Sequence, residues 1–189
     1  MTTLVLIRHG ETDWNNEGRY QGQADPPLNA VGIKQAEDLL SSLKEEHLDV
    51  LYSSPLRRAF QTAQILAQRL RIPLITDPRL MEIDQGEWET RLRAEIEHAY
   101  PELFHAWQTN PWEVTPPGGE NLYAVKARVD EAIDEILHKE RSKTIGVVTH
   151  RIPIALIKMR FQYLDPEVVR TIDLPNTFWE VIQIAEGSP

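Results

Sequence analysis

Leu4-Val5-Leu6-Ile7-Arg8-His9-Gly10-Glu11-Thr12 is an apolar run that stops at an arginine, a histidine and a glycine. A continuous apolar run this short has the character of a strand buried on both faces, as in a parallel sheet. Ligands of open α/β sheets bind beyond the carboxyl ends of such strands. His9 falls at that end, Arg8 supplies a fixed positive charge beside it, and Gly10 lets the backbone come close to a bound group. A histidine after a strand serves equally well as a structural side chain, so this stretch establishes a strand before it establishes a function.

Outward from this strand the chain alternates. Asp13 to Pro27 is polar and reads as a loop folding over the strand end. Asn29 is placed to cap a helix running to about His47, with Ala36, Leu39, Leu40 and Leu43 at helical spacing. Asp49 to Ser53 reads as a second buried strand, and Ser54-Pro55 has the cap-then-proline order that opens a helix, with Arg58 in its first turn. Ala59, Ala63, Leu66, Ala67 and Leu70 form the packing face of that helix, and Ile72 to Thr76 follows as a third strand. The βαβαβ order predicts an α/β fold with a mostly parallel sheet.

From Asp77 to Gly119 the pattern loosens into loops and short helical pieces. This reads as an inserted lobe able to cover a pocket at the strand ends and choose the substrate, and Trp88, Trp107 and Trp112 read as packing residues within it. Pro116-Pro117-Gly118-Gly119 breaks the chain, after which Leu122, Val125, Val129, Ala132, Ile133 and Ile136 define a long amphipathic helix. Thr144 to Thr149 is a fourth buried strand, and it too ends at a histidine, His150. Pro153 can begin another helix, Asp165-Pro166 a short turn, and Thr177 to Ile184 a last strand, antiparallel at the sheet edge.

With 29 acidic against 20 basic residues the formal net charge is −9, which argues against general nucleic-acid or acidic-membrane binding. There is no cysteine, hence no thiolate nucleophile, disulfide framework or cysteine-ligated metal. No apolar run approaches the roughly 18 residues of a membrane span, and a cytoplasmic protein is the expectation. A homodimer is compatible with the sequence, which does not reveal oligomeric state.

Two buried strands thus deliver His9 and His150 to what should be one edge of a parallel sheet. Arg8 and Arg58 add cationic groups there, and an arginine fork donates two aligned hydrogen bonds to a phosphoryl group. A helix N-terminus at Arg58 would add a favourable dipole. Phosphate-ester chemistry also needs a nucleophile and an acid for the leaving alkoxide. Histidine can be the first, and Glu82, on the loop after the third strand, is a candidate for the second.

These residues resemble the histidine phosphatases, the phosphoglycerate-mutase-like superfamily. Arg8-His9-Gly10-Glu11-Thr12 with Trp14-Asn15 resembles the nucleophile motif, continued by Gln21-Gly22 with Asp25, Pro27, Leu28 and Gly32-Ile33-Lys34-Gln35-Ala36. Ser53-Ser54-Pro55-Leu56-Arg57-Arg58-Ala59 with Gln61-Thr62-Ala63 is similar to the second motif, which assigns phosphate binding to Arg58. The Glu82 loop, Pro117-Gly118-Gly119-Glu120 and Val147-Val148-Thr149-His150 match further blocks.

The resemblance implies a three-layer α/β/α fold, as a single domain over 1–189 with the lid lobe at about 77–119. It implies a metal-independent mechanism without a cofactor, acting on a small phosphorylated metabolite. His9 would attack phosphorus, Arg8, Arg58 and His150 would hold the phosphoryl oxygens, and Asn15 and the Gln21-Gly22 backbone would assist. Glu82 would protonate the leaving oxygen and later take a proton from water.

Three positions depart from the family pattern. Arg151 stands where glycine is usual after the second histidine; it either binds a carboxylate or second phosphate, or points away and pairs with a surface acid. Thr90 and Asn121 replace a common glycine and serine, and Asn121 can still cap its helix. The alternatives are a cofactor-dependent phosphoglycerate mutase, a catalytically silent phosphoryl-ligand sensor, and a metalloenzyme on His9, His150 and nearby acids. Mutases carry Glu-Arg-His-Tyr-Gly where this chain has Glu82-Ile83-Asp84-Gln85-Gly86, and no closely spaced ligand pair supports a metal site.

Overall fold

A strand serves two layers when its side chains alternate between them. In the computed structural model, which describes residues 1–185, β1 (Thr2–Arg8) does so. Leu4 and Leu6 enter one apolar cluster, Val5 and Ile7 the other, and all four are fully buried. At about 1.5–3 kcal/mol for each such side chain, the four contribute roughly 6–12 kcal/mol of gross hydrophobic stabilisation.

The chain continues through α1 (Asp13–Glu17), α2 (Ala30–Ser42), β2 (Val50–Ser53), α3 (Arg57–Leu70) and β3 (Leu74–Thr76). Residues 77–119 hold α4 (Arg93–Ala99), α5 (Pro101–Thr109) and three single 3-10 turns. Then come α6 (Leu122–Lys139), β4 (Thr144–Thr149), α7 (Arg151–Gln162), α8 (Val168–Thr171) and β5 (Trp179–Ile184). The sheet order is β3-β2-β4-β1-β5, with β5 antiparallel at the edge and the other pairings parallel.

Helices α2 and α3 cover one face with Leu39, Ala59, Ala63 and Leu66. Helices α6 and α7 cover the other with Val125, Val129, Ile133, Ile154 and Leu156. The architecture is therefore the expected three-layer α/β/α. Trp88, Phe104 and Trp107 pack edge-to-face in the second cluster, which agrees with the packing role expected of the first and last of these. No helix among the described residues is long and apolar enough to cross a membrane. Residues 186–189, the end of the expected domain, lie outside the described residues.

Local structure corrects the sequence reading in three places. Residues 13–27 are not all loop: Thr12 caps α1, its hydroxyl accepting from Asn15 N while the Asn15 side chain accepts from Thr12 N. The second helix stops at Ser42, short of His47, which itself adopts φ 46°. Leu56, not Ser54, is the residue before α3: the Ser54 hydroxyl accepts from Leu56 N at 3.3 Å, two residues on and ahead of the helix, and lies 2.8 Å from His150 Nε2. Asn121 does cap α6, accepting from Ala124 N at 2.8 Å.

Candidate active site

Strand register places the two histidines together. Parallel pairing sets Arg8 opposite Thr149, so the next residues, His9 and His150, leave adjacent strands with ring centroids 5.1 Å apart. On the other side of β4, Ser53 pairs with Val148, and the Ser54 hydroxyl that follows lies 2.8 Å from His150 Nε2.

His9 is fixed from several directions. Its N–H donates to Thr149 O at 3.1 Å, and its carbonyl accepts from Asn176 Nδ2 and Thr177 N. Its ring Nδ1 lies 2.7 Å from the Gly10 carbonyl. A carbonyl only accepts, so Nδ1 carries the proton and Nε2 keeps its lone pair for the cavity that His9 lines. Burial holds the His9 pKa well below the ordinary range, and the positive charges of Arg58 and Arg8 push the same way. His150 is lowered well below that range too, first by burial and then by Arg58 and His9. Both imidazoles are therefore neutral near pH 7.

The cavity has a volume of about 360 Å³. Arg8, Asn15, Gln21, Gly22, Arg58, Glu82 and Arg151 all line it together with His9, whereas His150, fully buried, adjoins His9 without lining it. Arg58 is 1 % exposed and donates to Gly22 O at 2.7 Å and Ala24 O at 2.8 Å. The Gly22 segment therefore positions this guanidinium. Burial lowers the Arg58 pKa to about 10 against the pull of Glu82, Asp25 and Glu89, so it stays charged. Arg8 donates to the Leu174 carbonyl. The Nε–H groups of both arginines, together with His150 Nδ1, are buried without a protein partner. Buried donors of this kind require an acceptor, and a bound oxyanion supplies one.

Asn15 Oδ1 accepts from Thr12 N, Thr12 Oγ1 and Asn176 Nδ2 at 3.0–3.3 Å. Its amide nitrogen is left for the cavity. Glu82 Oε1 accepts from Ile83 N at 3.0 Å, and its backbone carbonyl accepts from Arg128 and Gln23. Arg128 also donates to the carbonyls of Arg79 and Met81 and grips Glu120, whose Oε2 accepts from Asp84 N. One guanidinium on α6 thus clamps the segment carrying Glu82. The sequence reading missed Arg128, and it also missed Ser54 as a partner of His150 and Asn176 as a partner of His9. Arg151 faces the cavity and donates to the carbonyls of Arg170 and Ile172, not to a surface acid. Among the described residues no group of three or more His, Asp or Glu is arranged to hold a metal ion.

Helix α2 is latched onto the loop that follows His9. Asn29 N donates to Glu11 O, Gln35 accepts from Glu11 N, and Asn29 Nδ2 donates to Glu11 Oε1. The backbones touch at Gly32, where a β-carbon would lie 2.1 Å from the Glu11 carbonyl oxygen. Gly32→Ala is expected to force α2 off this loop at a cost of about 1–3 kcal/mol. In a chain of this size that lowers Tm by roughly 3–10 °C. Thermal unfolding checks it, and an unchanged Tm would contradict the close contact.

Residues 4–189 match the family model described as the histidine phosphatase superfamily, branch 1. The chain is 38 % identical over 186 residues to phosphoserine phosphatase 1 of Hydrogenobacter thermophilus, covering 98 % of this chain and 88 % of that protein. It is 35 % identical over 180 residues to a probable phosphoglycerate mutase of Proteus mirabilis, covering 93 % and 82 %. Among solved structures, Bacillus stearothermophilus YhfR superposes with a TM-score of 0.93 at 32 % identity, covering 100 % of this chain and 94 % of that one. The paired histidines, the buried arginines and these matches agree: the chain belongs to branch 1 of the histidine phosphatase superfamily and is a phosphoric monoester hydrolase.

Proposed function

We propose that the protein hydrolyses a small anionic phosphomonoester through a phosphohistidine on His9. The observation that carries this reading is the tautomer of His9, whose Nδ1 is committed to Gly10 O and whose Nε2 is free beside two arginines with unpartnered N–H groups. Nε2 attacks phosphorus, the ester P–O bond breaks, and the Glu82 carboxylic acid donates its proton to the departing oxygen. Water then attacks the phosphorus of the P–N bond, Glu82 takes the proton, and inorganic phosphate leaves with His9 restored. Arg8, Arg58 and His150 Nδ1 stabilise the charge on the transferring group, with Ser54 donating to His150 Nε2 so that Nδ1 carries the proton. Asn15 and Gln21 complete the polar wall. Residues 77–119 act as the lid, since Glu82, Gln85, Arg93, Trp107 and Gln108 all reach the cavity from there.

The test is release of inorganic phosphate from p-nitrophenyl phosphate, with and without chelator, together with an acid-labile phosphoryl label on His9. No release, or release abolished by chelator, sinks this reading. The relative named as a probable phosphoglycerate mutase keeps a second reading open. Interconversion of 3- and 2-phosphoglycerate outpacing phosphate release would establish it instead.

A further inference from the structure

Gly10 joins two peptide units with different tasks. In the first, its own N–H donates to Thr62 Oγ1 on α3 at 3.0 Å, and that hydroxyl donates in turn to Arg58 O at 2.8 Å. The His9 carbonyl of the same unit accepts from Asn176 Nδ2 and Thr177 N. The second unit governs the state of the imidazole, because its carbonyl, Gly10 O, is the group 2.7 Å from His9 Nδ1.

The C=O and N–H of a trans peptide point in opposite directions. Glu11 N therefore faces away from His9, and it donates to Gln35 Oε1 on α2 at 2.9 Å. Glycine gives the backbone wide freedom at position 10. With the first unit pinned by Thr62, Asn176 and Thr177, the motion left is rotation of the Gly10–Glu11 plane. Such a rotation would carry the carbonyl off Nδ1 and release the ring to its other tautomer, and a partner at each end of the plane opposes it. The two hydrogen bonds also act in series. Donation to Gln35 polarises the amide and makes Gly10 O a stronger acceptor. When Nε2 bonds to phosphorus the imidazole takes on positive charge, part of it on Nδ1–H, so this acceptor is worth most at that moment.

We infer that Gln35 is a positioning residue for phosphoryl transfer: through the Gly10–Glu11 peptide it holds His9 as the Nδ1–H tautomer and stabilises the ring while phosphorus is bound to Nε2. This rests on the phosphohistidine reading of His9. Asn29 supplies the contrast on the same helix. Its side chain donates to Glu11 Oε1 and accepts from Gly32 N, touching neither polar end of the Gly10–Glu11 unit.

The test compares Gln35→Met, which keeps the side-chain length and loses the acceptor, with Gln35→Glu, which keeps it, and with Asn29→Ala. Each is read by kcat for p-nitrophenyl phosphate, the inhibition constant of inorganic phosphate, Tm, and the His9 ring nitrogens in the 15N NMR spectrum of the resting protein, assigned by their absence in His9→Ala. Gln35→Met should lower kcat by about 10- to 100-fold, the range for a group that orients a functional imidazole through its second nitrogen. Phosphate inhibition should be unchanged, and His9 should show a mixture of tautomers. Gln35→Glu should recover most of kcat and the single Nδ1–H form. Asn29→Ala should lower Tm and disturb neither. An unaltered His9 spectrum in Gln35→Met, or a kcat within about twofold of wild type, overturns the inference. So does a Gln35→Glu variant that recovers nothing, or an Asn29→Ala variant that alters the ring as Gln35→Met does, since either makes Gln35 a plain latch. Should the wild-type protein release no phosphate, it is the phosphohistidine reading that fails, and the spectra of the resting proteins still decide whether Gln35 sets the tautomer.

Discussion

His9→Ala is expected to lower kcat for phosphomonoester hydrolysis by on the order of 10⁵-fold, the scale seen when a covalent nucleophile is removed. The substitution also deletes the acceptor on which a phosphoryl group would rest, so the acid-labile label should vanish with the activity. Binding should persist, since Arg8 and Arg58 are held by the Leu174, Gly22 and Ala24 carbonyls and not by the imidazole. Competition by inorganic phosphate or vanadate measures that. Residual activity within tenfold of wild type would remove His9 from the nucleophile role.

The pH profile is a further consequence of the same residue. Burial and two arginines hold the His9 pKa well below 6.5, so the reactive neutral imidazole persists as pH falls through that value. The acid limb of kcat/KM due to His9 should accordingly lie well below pH 6.5.

Arg58→Gln is the second large effect. It removes a guanidinium that lines the cavity with His9, and on the proposed mechanism losses on the order of 10³-fold in kcat/KM accompany removal of such transition-state charge. It also strands the Gly22 and Ala24 carbonyls, each at about 1–3 kcal/mol when buried, so the loop bearing Gln21 should loosen and Tm should fall. The distinguishing readout is electrostatic. Arg58 is a leading cause, after burial, of the depressed pKa of both His9 and His150. Its removal should raise both, seen as imidazole resonances that titrate at higher pH by NMR and as an acid limb displaced upward. Unmoved histidine titrations would show that burial alone sets them.

The site was legible where chemistry coincided with a strand end. Ile7-Arg8-His9 and Val148-Thr149-His150 announce themselves because an apolar run has to stop at its polar residues, and parallel register does the rest. Arg58 was legible for a related reason, since it opens a helix directly after a strand. The Arg128 clamp was not, because its targets are the carbonyls of Arg79, Met81 and Glu82, and main-chain acceptors leave no trace in residue identity. Ser54 misled in an instructive way. Ser-Pro reads as a helix start by local preference, and the hydroxyl does accept from Leu56 N, but it also meets His150, 96 residues away, and α3 starts only at Arg57. Similarly, Thr12-x-x-Asn15 is a weaker signature than a capping box ending in glutamate, so α1 passed as loop although Asn15 closes the box. The orientation of Arg151 was not legible either, because it is set by the main-chain carbonyls of Arg170 and Ile172.

The position of β1 in the sheet has a bearing on how the protein is made. It leads directly into His9 and precedes the sheet's other four strands in the chain, yet its neighbours are β4 and β5, the last two strands, and about 140 residues separate Thr3 from its partner Thr144. At about 5–20 residues per second, roughly 7–30 s of synthesis pass before either flank exists. Through that interval Leu4-Val5-Leu6-Ile7 is an unpaired apolar segment in the nascent chain. Completion of β4 and β5 is therefore at once the step that buries this apolar stretch and the step that assembles the His9–His150 pair, so a chain arrested before residue 144 lacks both.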